Sequence, residues 1–298
     1  MLNAVLRAKV RATTRPKESC SLREDHGRIS NTKTTRHPDR KRLDDNSRPW
    51  LIHVGKSGGT TVSSVTKLEH LHRKPPTGRR KLILWLRNPI SRFVSAFYFS
   101  KGMVEKGKKV GEMSESAIKN LSLDNCPYPE KMKQKWRSKS RYMISETADK
   151  LFDMFPNVNA LLEALSSTNV AHRKSAERLM AYTHSGEGFN FFKSLGWYLD
   201  NGKWVPGNSH RVIFVGTLEN IDEDLRSIQR ILKQPELATA PAIRQHKGFD
   251  VTVSRKGLSN LISYLEESDY RALRCLVQAK LIPRKLYRSY REYEHVRD

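Results

Sequence analysis

The sequence predicts an α/β fold with a P-loop-like central parallel sheet flanked by helices. Three apolar runs with β-branched residues, 50–54, 81–86 and 211–216, have the length and composition of buried strands. Each run leads into a segment whose apolar residues recur at helical spacing. Strands that alternate with helices in this way are typical of a parallel sheet with helices on both faces.

The first predicted strand runs into a turn rich in glycine and hydrogen-bond donors, residues 55–60. Two adjacent glycines let the backbone curl so that several N–H groups point at one spot, and Lys56 adds a full positive charge. A helix follows, with Thr60 or Thr61 as the predicted N-cap, and its N-terminus adds a partial positive charge. Because every group in this loop donates, the sequence predicts a site for phosphate or sulfate oxygens.

This loop differs from the loop that binds nucleoside triphosphates, Gly-x-x-x-x-Gly-Lys-Ser/Thr. In that motif the lysine follows the glycines and opens the helix, whereas Lys56 precedes Gly58 and Gly59. The sequence also has no apolar strand that ends in an aspartate suited to hold magnesium. These departures favour a phosphate site of another kind over an ATPase.

A second anion-binding element is predicted directly after the second strand. Asn88 and Pro89 are the residue types of an N-cap and a first helical position. Arg87 then lies at the carboxyl end of a strand, where open α/β sheets bind ligands. We expect Arg87 and Ser95 to bind one anion together, through a guanidinium fork and a hydroxyl. Arg92 is either a further ligand or a structural arginine.

The segments His53–Thr61 and Leu86–Phe97 together resemble two motifs of the sulfotransferases that use PAPS (3′-phosphoadenosine 5′-phosphosulfate). The resemblance is closest to the Golgi carbohydrate enzymes of the heparan 2-O-sulfotransferase type. That group carries His-Val-Pro-Lys-Thr-Gly-Gly-Thr-Ser for the 5′-phosphosulfate and Arg-Asp/Asn-Pro-x-x-Arg-x-x-Ser-x-Phe/Tyr for the 3′-phosphate. Gly55 stands where the family has proline.

The resemblance implies the sulfotransferase fold, PAPS as the co-substrate and a division of labour between the two motifs. Arg87 and Ser95 are expected to bind the 3′-phosphate. The 5′ end is expected to be held by Lys56, Ser57, Gly58, Gly59, Thr60 and Thr61.

The 298 residues carry a net charge of +24, which indicates a polyanionic partner such as a nucleotide, an acidic glycan, a nucleic acid or an anionic membrane. Residues 1–48 are polar and basic without a core pattern, so we predict a disordered arm before a domain spanning 49–298. Residues 1–17 lack acidic side chains, which fits a targeting segment, a membrane-surface helix or a solvated tail.

The sequence predicts no transmembrane segment, so we expect a soluble protein. Its location is open: an organelle reached through the basic arm, or the Golgi if the chain lacks its native membrane anchor. The Golgi alternative follows from the resemblance alone.

The middle of the chain holds a predicted insertion and the candidate catalytic base. Residues 101–145, rich in glycine and lysine at their start, predict an irregular insertion whose basic residues either contact the acceptor or form a solvated face. The later loop 183–189 places His184 and Glu187 beside glycines. A hydroxyl acceptor loses a proton as its oxygen attacks sulfur, which requires a general base. The resemblance implies a catalytic His or Glu in this third of the chain; His184 is preferred because imidazole titrates near neutrality, and Glu187 remains an alternative.

The rest of the chain is predicted to be scaffold, with one further candidate site. Helices are expected over 145–165 with a break at Pro156, and over 171–182, 217–232, 258–281 and 285–298. The loop predicted at 235–257 ends in Arg255, Lys256 and Gly257. This triplet is similar to the 3′-phosphate-binding Arg-Lys-Gly of the cytosolic sulfotransferases, and a plain basic loop is the alternative.

Taken together, the sequence predicts an enzyme that transfers a sulfuryl group from PAPS to a hydroxyl acceptor, with a carbohydrate as the expected acceptor and no metal. Lys56 is the candidate that stabilises charge on the leaving phosphate. Two other classes remain open. A P-loop nucleotide kinase or phosphotransferase would require magnesium and ATP, and a nucleic-acid-binding protein would show steeply salt-dependent binding. Neither explains the two motifs in their order along the chain.

Overall fold

The computed structural model describes six segments, all within the compact unit Asp44–Asp298: residues 48–71, 73–111, 146–181, 193–235, 252–293 and 296–297. The predicted N-terminal arm, apart from Arg48, and most of the predicted insertion lie outside the described residues. No helix in these segments is both long and apolar enough to cross a bilayer.

The centre of the fold is a four-stranded parallel sheet with the strand order β2-β1-β3-β4. Its strands are β1 (Trp50–His53), β2 (His70–Leu71), β3 (Leu82–Leu86) and β4 (Val212–Thr217). The three predicted strands are confirmed to within one residue at each end. The two-residue strand β2 was not predicted, because it lies in a polar connection too short to show a period. A second, two-stranded parallel sheet pairs β5 (Val253–Ser254) with β6 (Val296–Arg297).

Eleven helices are found among the described residues, with short 3₁₀ turns at Asp200–Gly202 and Ser209–Arg211 and a π-helical turn at Glu266–Tyr270. They are α1 (Gly59–Thr66), α2 (Pro89–Gly111), α3 (Glu146–Met154), α4 (Val158–Ala164), α5 (Val170–Met180), α6 (Leu195–Tyr198), α7 (Val205–Asn208), α8 (Ile221–Ile231), α9 (Arg255–Leu265), α10 (Arg271–Gln278) and α11 (Arg284–Ser289).

Helices cover both faces of the sheet, as predicted, because successive strand residues point to opposite sides. On one face Leu51, Ile83 and Trp85 pack with apolar residues of α1 and α8. On the other, Ile52, Leu84 and Leu86 join the larger core that α2 and the remaining helices complete. The parallel sheet is therefore buried on both sides, which explains its nearly continuous apolar strands.

The order of the strands creates a topological switch point at the carboxyl ends of β1 and β3, the region called the crevice below. From β1 the chain passes through α1 to β2 on one side, and from β3 it returns through α2 and later helices to β4 on the other side. The carboxyl ends of β1 and β3 are adjacent, and the connections that leave them diverge. Open α/β sheets bind ligands at such a switch point.

Three predicted boundaries were wrong. The insertion was expected to begin at about residue 101, but α2 continues to Gly111. The glycines of this stretch suggested an earlier end, whereas Val104, Glu105 and the lysines around them are compatible with a helix. The helix after β4 begins at Ile221 rather than residue 217. The predicted tail helix ends at Ser289, and the residues after it instead bond to Asn88 and Glu219, which follow β3 and β4.

Candidate functional site

The loop between β1 and α1 is folded as a compact turn around two residues with positive φ. Lys56 has a φ of 67°, unusual for a residue with a side chain, and Gly58 has a φ of 81°. Gly58 is the N-cap of α1, so the prediction of Thr60 or Thr61 in that role was wrong. The left-handed glycine allows the helix to begin at once, and the N–H of Thr61 already bonds to the carbonyl of Gly58.

No side chain of Gly58 can cap α1, and no side-chain cap bond is present at this helix start. The first N–H groups of a helix lack acceptors within the helix. The N–H groups of Thr61 and Val62 bond to the carbonyl of Gly58, which leaves those of Gly59 and Thr60 at the N-terminus of α1, beside the carboxyl ends of β1 and β3, to donate to an anion.

The glycines are required by close neighbours. A Cβ on Gly59 would come within 2.6 Å of Cγ and 2.7 Å of Nε2 of His53, and closer still to Cδ2. A Cβ on Gly58 would lie 2.7 Å from Cδ1 of Leu218. His53 is only 8% exposed. Its ring therefore packs against the buried side of the loop and is not part of the solvent-accessible surface of the loop.

The second motif meets this loop directly. Nη1 of Arg87 donates to the carbonyl oxygen of Lys56 at 3.1 Å. Arg87 is half-buried at the end of β3; burial lowers the pKa of its guanidinium, and the nearby Glu219 carboxylate offsets part of that effect. One edge of the guanidinium thus fixes the loop, and its remaining N–H groups lie at the same crevice.

The side chain of Lys56 lies along α2. Its Nζ is 4.2 Å from the centroid of the Phe99 ring. Ser95 is four residues before Phe99 on the same helix, and residues with this spacing are neighbours on one face. Ser95 is half-buried on this helix. Because Ser95 and Phe99 share one face of α2, Lys56 contacts the face that carries Ser95. The structure therefore brings Lys56, Arg87 and the Ser95 face of α2 together.

The hydroxyl side chains of the loop are not equivalent. Thr60 is exposed and Thr61 is half-buried. Ser57 is fully buried, and its Oγ has no hydrogen-bond partner within the described part of the chain. An unsatisfied buried hydroxyl costs about 1–3 kcal/mol, so a ligand oxygen reaching the inside of the loop would relieve a real penalty. The hydroxyl of Ser57 is therefore a candidate donor to an oxyanion.

A set of residues that sequence reasoning missed surrounds Arg87 and Asn88. Oε1 of Glu219 accepts from the backbone N–H of Asn88 at 2.8 Å, and its Oε2 accepts from the hydroxyl of Tyr290 at 2.9 Å. Nδ2 of Asn88 donates to the carbonyl of Glu292 at 3.0 Å. Glu219 belongs to the part of the chain that was predicted to be scaffold, because its partners are distant in sequence and gave no signal.

The predicted cap at the start of α2 is confirmed, and Arg92 is buried. Oδ1 of Asn88 accepts from the N–H groups of Ile90 and Ser91 at 2.9 and 3.3 Å. Arg92 is 1% exposed; burial lowers its pKa and the Asp269 carboxylate offsets part of that effect. Its charge also helps to lower the pKa of Arg87.

The remaining candidate residues either lie in a helix and not in the predicted loop, or fall outside the described residues. Arg255, Lys256 and Gly257 form the first turn of α9, not a loop, because Ser254 caps that helix. The N–H of Gly257 donates to Oγ of Ser254 at 3.1 Å. This cap bond occupies the N–H, so it is not available to bind a phosphate. His184 and Glu187 lie outside the described residues.

Within the segments that the structure describes, no group of three or more His, Cys, Asp or Glu side chains is placed to hold a metal ion. Comparison with protein-family models, with curated proteins and with solved structures found no match.

Proposed function

We propose that this protein transfers a sulfuryl group from PAPS to a hydroxyl acceptor, with a carbohydrate as the acceptor class. The observation that carries the proposal is the bond from Arg87 to the carbonyl of Lys56. It joins two anion-binding elements at the carboxyl ends of adjacent parallel strands, as a donor with phosphate groups at two positions requires.

The loop supports binding of the 5′ end of the donor. N–H groups at the start of α1, the hydroxyls of Ser57, Thr60 and Thr61, and the charge of Lys56 are all donors or cations. The oxygens of a phosphosulfate are all acceptors. The positive charge that magnesium supplies in nucleotide kinases would here come from Lys56 and the helix N-terminus.

The proposed transfer step uses this arrangement. The acceptor oxygen attacks sulfur, the bond between sulfur and the 5′-phosphate oxygen breaks, and 3′,5′-ADP (PAP) leaves with the electron pair. Lys56 would stabilise the charge on that leaving oxygen, after its flexible side chain swings from Phe99. The acceptor proton would pass to His184 or Glu187. Arg87 and Ser95 would hold the 3′-phosphate and position the donor without taking part in the chemistry.

Binding of PAP by isothermal titration calorimetry tests the donor site. We expect metal-independent binding that weakens about 10- to 100-fold in Arg87→Ala, the effect of losing charged hydrogen bonds, and also weakens in Lys56→Ala. The control is Lys174→Ala, which removes an exposed lysine from α5. Binding of ATP only, with magnesium, would support a kinase instead. Binding of neither, with salt-dependent binding of DNA or RNA that survives Lys56→Ala, would support a nucleic-acid-binding protein.

Transfer itself is tested separately, with radiolabelled PAPS and a panel of glycans. Lys56→Ala is expected to retain folding and lose transfer, and His184→Ala and Glu187→Gln identify the base by which of them abolishes transfer while PAP binding stays unchanged. Retained transfer in all three variants would contradict the assigned roles.

A further inference from the structure

The chain segment Tyr290–Tyr293 lies against the crevice, in contact with Asn88 and Glu219. Tyr290 donates its hydroxyl to Glu219, which follows β4, and the carbonyl of Glu292 accepts from the side chain of Asn88, which follows β3. Both partners stand at the carboxyl ends of strands. The segment is therefore fixed to the same sheet edge as the two predicted motifs.

This segment is anchored on its other side as well. Tyr290 is 2% exposed, and its carbonyl accepts from the hydroxyl of Tyr270 at 2.9 Å. Arg291 pairs with Glu266 at 3.0 Å. A segment held by four side-chain bonds to separate elements forms a defined wall, and a ligand beside it meets a preorganised surface.

Tyr293 is the residue of this wall that is suited to contact a ligand. It directly follows Glu292, whose carbonyl is bonded to the residue next to Arg87. Its side chain is half-buried and packs against the main core, so it retains an accessible part. The phenol also lies close enough to the Arg87 guanidinium to act on its pKa.

The chemistry of the proposed donor predicts a role for Tyr293. In PAPS the 3′-phosphate is attached to the ribose that carries the adenine. If Arg87 holds the 3′-phosphate, the base lies one ribose away from the guanidinium. Tyr293 follows the residue that is bonded to Asn88, the neighbour of Arg87, so its ring is within reach of that base and can stack on a purine.

We propose that Tyr293, held in place by the bonds of Tyr290 and Glu292, forms the wall of a nucleobase subsite and stacks on the base of a nucleoside 3′,5′-bisphosphate. This inference rests on the proposed function, because it assumes that the 3′-phosphate binds at Arg87.

The test compares PAP with ribose 3,5-bisphosphate, which lacks the base, on the full-length protein. Tyr293→Ala is expected to weaken PAP binding about 5- to 150-fold, the range for loss of one stacked base, and to leave ribose 3,5-bisphosphate binding unchanged. Tyr293→Phe keeps the ring and is expected to bind PAP like the unmodified protein. Tyr264→Ala, which removes a 43% exposed tyrosine from α9, is the control and is expected to have no effect.

Two results would overturn the subsite. Equal weakening of both ligands in Tyr293→Ala would show a structural role only, and unchanged PAP binding would show no contact with the base. In both cases PAP still binds to the unmodified protein, so the donor site stands. If the unmodified protein does not bind PAP, the proposed function fails and the subsite fails with it.

Discussion

Replacing Gly59 by alanine tests the geometry on which the candidate site depends. The new Cβ would meet the His53 ring at 2.6 Å from Cγ and 2.7 Å from Nε2, about 1 Å inside the optimal separation of carbon atoms. Cγ is next to the backbone of β1, so the ring cannot escape by rotating its far end. His53 is 8% exposed and lies on a strand paired on both sides, which leaves little room for a backbone shift.

The expected cost can be divided into two parts. Overpacking of this severity costs about 3 kcal/mol, whereas exchanging glycine for alanine in a helix gains about 0.5–1 kcal/mol. Gly59→Ala should therefore lower the free energy of unfolding by about 2 kcal/mol. Gly102→Ala is the matched control, because Gly102 lies in α2 with nothing within 4 Å of its added Cβ, and it should raise that free energy by about 0.5–1 kcal/mol.

Urea unfolding at pH 7, followed by circular dichroism, measures both variants, and calorimetry with PAP measures the loop. Gly59→Ala should also weaken PAP binding, since the start of α1 has to move. In a His53→Ala background the steric conflict is absent, so Gly59→Ala should raise the free energy of unfolding by about 0.5–1 kcal/mol, as Gly102→Ala does. The reasoning is refuted if Gly59→Ala is as stable as Gly102→Ala, or if its cost is the same with and without the His53 ring.

Two further predictions concern buried and charged side chains. Burial raises the pKa of Tyr198 to about 12, so this tyrosine ionises in the unfolded chain before it ionises in the folded protein. Its contribution to the free energy of unfolding is therefore constant below about pH 10 and falls between about pH 10 and 12. Tyr198→Phe should reduce that slope by about 1.4 kcal/mol per pH unit in urea unfolding, and an unchanged slope would contradict the assignment. Glu219→Gln removes a negative charge near Arg87 and keeps an acceptor for the N–H of Asn88, so PAP should bind more tightly, on the order of threefold. Weaker binding would mean that the carboxylate is needed to hold the site together.

The elements that sequence reasoning placed correctly are those with local causes. The apolar runs of β1, β3 and β4 are long enough to show their burial in composition alone. The start of α2 is specified by adjacent residues, since Asn88 caps the helix that Pro89 begins. The predicted meeting of the two motifs rests on a general rule, that carboxyl ends of neighbouring parallel strands share one edge.

The misplaced elements depend on contacts across the chain or on a choice between equivalent local signals. Glu219 and Asn88 are 131 residues apart, and no periodicity links them. At the start of α1 a glycine in the left-handed region precedes two threonines, and all of them are acceptable caps. Ser254 was predicted to lie in a loop, but it is the N-cap of the helix whose first residue is Arg255.

The position of the lysine is the feature of this loop that bears most on its chemistry. In the triphosphate-binding loop the lysine belongs to the first helical turn and projects over the helix N-terminus. Lys56 instead lies two residues before the N-cap, in a positive-φ conformation that directs its side chain to Phe99 on α2. Its charge thus approaches the crevice from the α2 side, whereas the N–H groups approach from the α1 side. An anion bound between them is neutralised from two directions by protein groups, which is why we expect nucleotide binding to persist in the presence of a chelator.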